Sequence, residues 1–338
     1  MTNRLTLFFT APGQVEVREQ PLADPPPGQA LVRTLLSAIS PGTEALIYRG
    51  LFPPDLPLDE NISALSGGFS YPLKYGYSAV GQVEKIGSGV ERSWLGRIVF
   101  AFNPHESHFC APIDTLHPLP PGITSEQAVF LPNLETAVNF VMDGRPLIGE
   151  RLLVFGQGIV GLLTTALLSR FPLGRLVTLD RFPLRRKTSL ELGAHASLDP
   201  GIPDLHREAR TLLGGEADLC YELSGAPAAL DAAIALAGYD GRVIVGSWYG
   251  QKRAELDLGG HFHRSRIRLV SSQVSTIAPE LIGRWDKARR FALAWELLQA
   301  VQPERLITRT FSIQAAAQAY QLLDQHPEQA IQLVFTYP

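Results

Sequence analysis

Three glycines and a carboxylate carry the most readable chemistry in this chain. Gly156-Gln157-Gly158-Ile159-Val160-Gly161 fits the spacing G-x-G-x-x-G. The apolar run Leu152-Leu153-Val154-Phe155 leads into it and a helical pattern over 159–169 leads out. In that setting Gly156 permits a tight turn, Gly158 lets backbone approach a pyrophosphate, and Gly161 lets the helix lie close to the sheet. The start of the helix adds unpaired N–H groups and a partial positive charge for the phosphates. Asp180 ends the next strand, Leu176-Val177-Thr178-Leu179-Asp180, about 20 residues after the turn, where an acidic side chain accepts hydrogen bonds from ribose hydroxyls and repels a 2′-phosphate. NAD is therefore the expected cofactor, with NADP as the alternative. Arg181, Arg185, Arg186 and Lys187 follow directly, and they can hold a 2′-phosphate, stack on adenine, or form a solvated helix face. Ser224, Gly246 and Ser247, where two later strands end, complete the expected dinucleotide set.

The elements that must position these groups form two regions. The first 120 or so residues carry many Pro and Gly residues and short alternating apolar segments, at 15–18, 29–36, 81–86 and 97–101. Residues 50–75 read as a long loop of the sort that shapes a binding cleft. From about Thr124, strands at 151–155, 175–180, 194–198, 217–222, 241–247 and 267–272 alternate with helices, the clearest at 159–169, 184–192 and 227–236. That alternation predicts a doubly wound, parallel six-stranded sheet of the Rossmann type. Helices at 285–298 and 313–323 follow, then a strand at 331–336 that returns to the N-terminal β region. The expected domains are 1–124 with 273–338, and 125–272.

Bulk properties exclude several classes. The 338 residues are 45% hydrophobic and 19% charged, with a formal net charge of −3. This is a globular composition with no electrostatic reason to expect nucleic acid or an anionic membrane as partner. No apolar run reaches the roughly 18 residues of a membrane span, and the first ten residues read as a strand instead of a signal peptide. Cys110 and Cys220 form no C-x-x-C pair, which suits buried small hydrophobes in a reducing cytoplasm.

Several stretches together resemble the medium-chain dehydrogenase/reductase superfamily, the relatives of zinc alcohol dehydrogenase. PLKYGYSAVGQVEKIGSG at 72–89 is similar to the family's P-x-x-x-G-H-E-x-x-G-x-V-x-x-x-G stretch, and SAISPGTE at 37–44 to the one that usually carries Cys before Gly-Thr-Asp. SLELGA at 189–194 and YDGRVIVG at 239–246 are further landmarks. The SPGTE segment resembles the bacteriochlorophyllide-dehydrogenase-like branch. The resemblance implies a GroES-like β-rich catalytic domain beside the Rossmann domain, substrate bound between domains, and a homodimer.

Departures from the pattern fall on the metal ligands. Ser40-Pro41 stands at the family's Cys, Tyr77 at its His and Ser78 at its Glu, while the third ligand region offers Asn133 and Glu135. The four cysteines of the structural-zinc lobe are missing. Zinc takes thiolate, imidazole or carboxylate ligands in a tetrahedral set, so no zinc is expected at either site. Hydride transfer to a carbonyl then needs another group to protonate or stabilise the oxygen. By location, Glu44, Tyr77 and His105 are the catalytic candidates. Each also has a structural reading: Glu44 as a helix cap, Tyr77 as a packed aromatic, and His105 with His108 as ordinary loop residues. His261, His263, Arg264, Arg266 and Arg268 crowd the approach to the sixth strand and suit an anionic substrate or a solvated basic loop. The polar Ser271-Ser272-Gln273 after them suggests a lined cleft. The expected activity is zinc-independent, NAD(P)-dependent oxidation of an alcohol or reduction of a carbonyl on a small or medium-sized substrate. A quinone or enoyl reductase, and a non-catalytic dinucleotide-binding redox sensor, are the alternatives.

Overall fold

Successive side chains of a strand point to opposite faces, and the strand at 151–155 shows what that requires here. Leu152 and Val154 join Leu176, Leu219, Tyr221 and Ile244 in one cluster, while Leu153 and Phe155 join Val177, Leu179, Cys220 and Val243 in another. A strand apolar at every position is covered on both faces, which is the condition of a parallel sheet wrapped by helices. The computed structural model describes residues 3–53, 55–59 and 62–338.

In chain order the first elements are β1 (Asn3–Ala11), β2 (Gln14–Pro21), β3 (Gln29–Ala38) and α1 (Pro41–Tyr48). After the long loop come β4 (Ala79–Ile86), β5 (Ile98–Ala101), β6 (His108–Pro112) and β7 (His117–Pro118), then α2 (Ser125–Ala128) and α3 (Leu131–Gly144). The alternating region holds β8 (Arg151–Phe155), α4 (Ile159–Leu168), β9 (Arg175–Leu179), α5 (Pro183–Glu191), β10 (Ala196–Leu198) and α6 (Leu205–Leu213). It continues with β11 (Ala217–Glu222), α7 (Pro227–Leu236), β12 (Ala237–Val245) and β13 (Arg268–Ser271). The last elements are α8 (Lys287–Val301), β14 (Ile307–Ser312), α9 (Ala316–Gln325) and β15 (Gln332–Thr336). Among the described residues no helix is long and apolar enough to cross a membrane.

The chain parts into two compact units, Met1–Pro132 with Leu298–Pro338, and Asn133–Leu297. In the second, six parallel strands run in the order β10-β9-β8-β11-β12-β13, the expected doubly wound sheet, with its order reversing between β8 and β11. In the first, β3 is central: it pairs antiparallel with β4, β6 and β15, so the C-terminal strand does return to the N-terminal β region. The return brings a second strand, β14, parallel to β15, and helix α1 follows β3; neither was separable from loop by apolar period. The loop 50–75 contributes Phe52, Leu65, Leu73 and Tyr75 to the core of this unit.

The second unit extends past residue 272, and Arg290 supplies the physical reason. Its fully buried guanidinium donates to Glu135 Oε1 (2.9 Å), to Asn139 Oδ1 (2.5 Å) and to the main-chain oxygens of Thr276 and Val274. A buried cation is tolerable only when so bonded, and these bonds tie 274–290 to α3. Ser272, expected to line a cleft, instead donates to Asp143 Oδ2 (2.5 Å) and accepts from Asn139 (3.0 Å).

Candidate active site

The glycine turn between β8 and α4 has a different requirement at each glycine. Gly156 has φ of +88°, and a Cβ there would lie 2.5 Å from Ser224 Cα. A Cβ on Gly161 would lie 2.0 Å from the Gly156 oxygen, whereas one on Gly158 would meet nothing within 4 Å. Two glycines are thus demanded by packing, and the third leaves open space at the helix N-terminus. Gly158 is the N-cap of α4 and supplies no side-chain cap, so the first N–H groups of the helix stay available to an anion. Gln157 turns inward: its amide donates to the Gly156 oxygen (3.1 Å) and accepts from Thr165 (2.9 Å). Ile159 is buried, and Val160 packs against the sheet.

Asp180 sits just past β9 and braces this turn. Its Oδ2 accepts from the Gln157 N–H (2.7 Å) and its Oδ1 from the Phe182 N–H (2.8 Å). One lone pair on each oxygen is left for a further donor. Arg181 and Arg185 both lie over the Phe182 ring, at 4.9 and 4.8 Å, and Arg185 reaches within 4.0 Å of the Asp180 carboxylate. Arg186 is taken by the Asp180 main-chain oxygen and Asp199. Ser224, Gly246 and Ser247 come together at the ends of β11 and β12, where Gly246 and Ser247 donate to the Glu222 main-chain oxygen at 3.1 and 3.2 Å.

The catalytic candidates of the first unit are gathered around Glu44. Proline at the first helical position starts α1 and Ser40 is its N-cap. Glu44, a turn later, accepts from the Ser40 N–H through Oε1 (2.7 Å). Its Oε2 accepts from Tyr320 Oη and from His105 Nε2, the latter at 3.1 Å. On the other side of the ring, His105 Nδ1 meets Ser37 Oγ at 2.7 Å, and Ser37 Oγ meets Tyr337 Oη at 2.7 Å. A Cβ at Gly76, where φ is +119°, would lie 2.8 Å from His105 Nε2, so this glycine makes room for the imidazole. Ser37, Glu44 and His105 have no exposed surface. The order Ser37–His105–Glu44 is that of an acyl-transfer triad, but a serine no substrate can reach is not a nucleophile.

Tyr77 differs from these groups because it is only partly buried. Its phenol bonds the Ser40 hydroxyl, and Thr43 also bonds it. Burial pushes the phenol above its ordinary range, the Ser40 and Thr43 hydroxyls pull it back, and the Glu44 and Asp59 charges push it up again. His108 lies apart on β6, within 3.6 Å of Glu84, and burial lowers its affinity for a proton. In the basic turn before β13, His261 Nε2 is bonded to the Ala237 oxygen (2.6 Å) and Arg268 to Asp240 (3.1 Å), leaving His263, Arg264 and Arg266 exposed.

At the family's ligand positions the donors do not suit zinc. Ser40 and Tyr77 offer neutral hydroxyls already bonded to each other, Ser78 donates to the Val129 oxygen (2.6 Å), and Glu135 is held by Arg290. A protonated phenol and an alcohol are poor substitutes for thiolate or imidazole. Sequence spacing gave no sign of Ser37, Tyr320 or Tyr337. Tyr320 meets Glu44 across 276 residues of chain and Tyr337 meets Ser37 across 300.

Known proteins resemble the chain over most of its length. A family model described as zinc-binding dehydrogenase matches residues 160–293. D-guloside 3-dehydrogenase of Escherichia coli (strain K12) is 26% identical over 272 residues, 78% of each chain. The starvation-sensing protein RspB of the same strain is 21% identical over 365 residues, covering 98% of this chain and 99% of that one. Among solved structures, a short chain alcohol dehydrogenase (rspB) from E. coli CFT073 complexed with NADH superposes with a TM-score of 0.80 at 20% identity, covering 99% of this chain and all of that one. The 2R,3R-butanediol dehydrogenase of Bacillus subtilis gives 0.78 at 17%, covering 98% and 99%. In these comparisons the chain is similar to dehydrogenases of the medium-chain dehydrogenase/reductase superfamily. It is an NAD(P)-dependent oxidoreductase of that type.

Proposed function

We propose that the chain is a zinc-independent alcohol dehydrogenase/carbonyl reductase that prefers NAD and uses Tyr77 for proton transfer. The observation that carries this reading is the phenol itself. It stands at the family's ligand position on a residue that is only partly buried, with Ser40 and Thr43 hydroxyls bonded to its oxygen. The bound nicotinamide supplies or takes the hydride. The dinucleotide fits the turn 156–161, where the space beside Gly158 and the free N–H groups of α4 receive the pyrophosphate and Asp180 receives the ribose hydroxyls. In carbonyl reduction, Tyr77 gives its phenolic proton to the substrate oxygen as the carbonyl carbon gains hydride, and Ser40 and Thr43 stabilise the phenolate left behind. Oxidation runs the same steps backwards.

Relatives named as D-guloside, sorbitol and butanediol dehydrogenases support a secondary alcohol, polyol or sugar-like substrate. Glu44 and Asp59 both act on Tyr77, so a neutral oxygen suits that position better than an anionic one. The basic turn 261–268 is the part of the chain suited to an anionic substituent. The free thiols Cys110 and Cys220 suit a reducing cytoplasm.

Tyr77→Phe tests the reading. The expected loss in kcat is about 10²-fold or more, the usual weight of a general acid, with NADH affinity unchanged. Near-normal turnover by this variant, or one tightly bound zinc per chain, overturns it. Retained turnover of enones or quinones alone would move the assignment to a quinone or enoyl reductase.

A further inference from the structure

Glu222 ends β11 beside the point where the strand order reverses, yet its carboxylate has no exposed surface. Burying a carboxylate there is tolerable because both of its oxygens are bonded. Oε1 accepts from the Ser224 N–H (2.8 Å) and the Ser224 hydroxyl (2.5 Å), and Oε2 accepts from the Tyr249 phenol (2.5 Å). Further bonds join the same two segments. Gly246 and Ser247 donate to the Glu222 main-chain oxygen, Gly225 N–H donates to Ser247 Oγ (2.8 Å), and Lys252 Nζ donates to the Gly225 oxygen (2.8 Å). Segment 246–252 has no helix or strand of its own, so these bonds hold it against the loop after β11 where no ladder does. Ser224 in turn abuts Gly156 of the glycine turn, where no Cβ would fit.

We propose that the Tyr249–Glu222 pair is a clasp that holds segment 246–252 against the loop after β11 and so shapes the wall of the dinucleotide crevice. Tyr249 is then a positioning residue for the cofactor, not a catalytic one. The clasp rests on the dinucleotide reading of the glycine turn but not on Tyr77. The phenol is a suitable latch because it remains a donor: burial and the Glu222 carboxylate both push its ionisation far above its ordinary range. Removing its hydroxyl leaves a buried carboxylate oxygen without a donor, and the segment must shift to let another donor or water in.

The experiment is Tyr249→Phe in the full chain, with NADH as the probe and two readouts. NADH dissociation is expected to rise about tenfold, the scale of one lost hydrogen bond to a charged group, while kcat at saturating NADH changes little. In the cofactor-free protein, amide hydrogen exchange should quicken in 222–226 and 246–252 and stay unchanged in β8 and β9. In a double-mutant cycle, Tyr249→Phe should add almost nothing to Glu222→Ala, because Glu222→Ala already removes the acceptor of the Tyr249 phenol. Unchanged NADH affinity in Tyr249→Phe overturns the clasp, as does exchange that quickens evenly across the whole sheet. Failure of the unsubstituted protein to bind NADH or NADPH overturns the clasp and the dinucleotide reading together. Loss of turnover in Tyr77→Phe has no bearing on either.

Discussion

A phenol at position 77 changes which protonation state does the work. Its proton is held more tightly than in water, first by burial and then by the Glu44 and Asp59 charges, against the pull of Ser40 and Thr43. The group is raised above its ordinary value near 10, so it is a neutral acid throughout the physiological range. Carbonyl reduction, which needs the acid, is expected to be flat with pH and to fall only as pH passes the raised value. Alcohol oxidation needs the phenolate and should climb about tenfold per pH unit over the same range. Tyr75, Tyr320, Tyr337 and His105 also face Glu44, so Glu44→Gln removes the one carboxylate bonded within this cluster. Its expected effect is an alkaline limb displaced to lower pH in a pH–rate profile; an unmoved limb contradicts the electrostatic link. At the cofactor, Asp180→Ser should weaken NADH more than NADPH in fluorescence titrations, because only the carboxylate repels a 2′-phosphate. It should also cost some stability, since Asp180 bonds the Gln157 and Phe182 N–H groups. Equal loss for both cofactors removes its assigned role.

The turn from β8 into α4 separates binding from packing within six residues. Gly161→Ala places a methyl 2.0 Å from the Gly156 oxygen, and backbone cannot yield as a side chain can. Unfolding should show a loss of about 1–3 kcal/mol, the scale of overpacking. Gly158→Ala adds a methyl into open space and should leave stability within about 1 kcal/mol while lowering NADH affinity, because the space is where phosphate would lie. A variant pair with these effects exchanged would refute the placement. The same contrast explains what was legible beforehand. The glycine spacing and the apolar strands 151–155, 175–180 and 217–222 are local patterns, readable because period and turn chemistry act over a few residues. The surroundings of Glu44 are not local: its partners Tyr320 and His105 lie 276 and 61 residues away, and a lone tyrosine carries no periodic signal. Glu222 escaped for a related reason, since an acidic residue ending an apolar strand reads as solvent-exposed until Ser224 and Tyr249 are seen to close over it.

For the molecule as a whole, the unpaired edge of the parallel sheet is the contact we propose for association of two copies. Among the described residues β13 pairs only with β12, so its outer side presents main-chain donors and acceptors to whatever lies beyond. Such an edge invites a further strand unless it is charged, bulged or covered. Arg268 is paired with Asp240, and Leu269, 37% exposed, puts an apolar side chain at the rim. A second copy related by a two-fold axis would lay its own β13 antiparallel to this one, the self-complementary contact that closed dimers use. The expected result is therefore a sedimenting species of twice the chain mass. Leu269→Arg would add one unpaired guanidinium per copy at this edge, so that two like charges approach across the axis, and should shift the protein toward monomer as salt is lowered. NADH affinity per chain should persist, because the glycine turn and Asp180 lie at β8 and β9 and not at this edge. A monomeric unsubstituted protein at micromolar concentration, or a dimer indifferent to Leu269→Arg, rules out β13 as the contact.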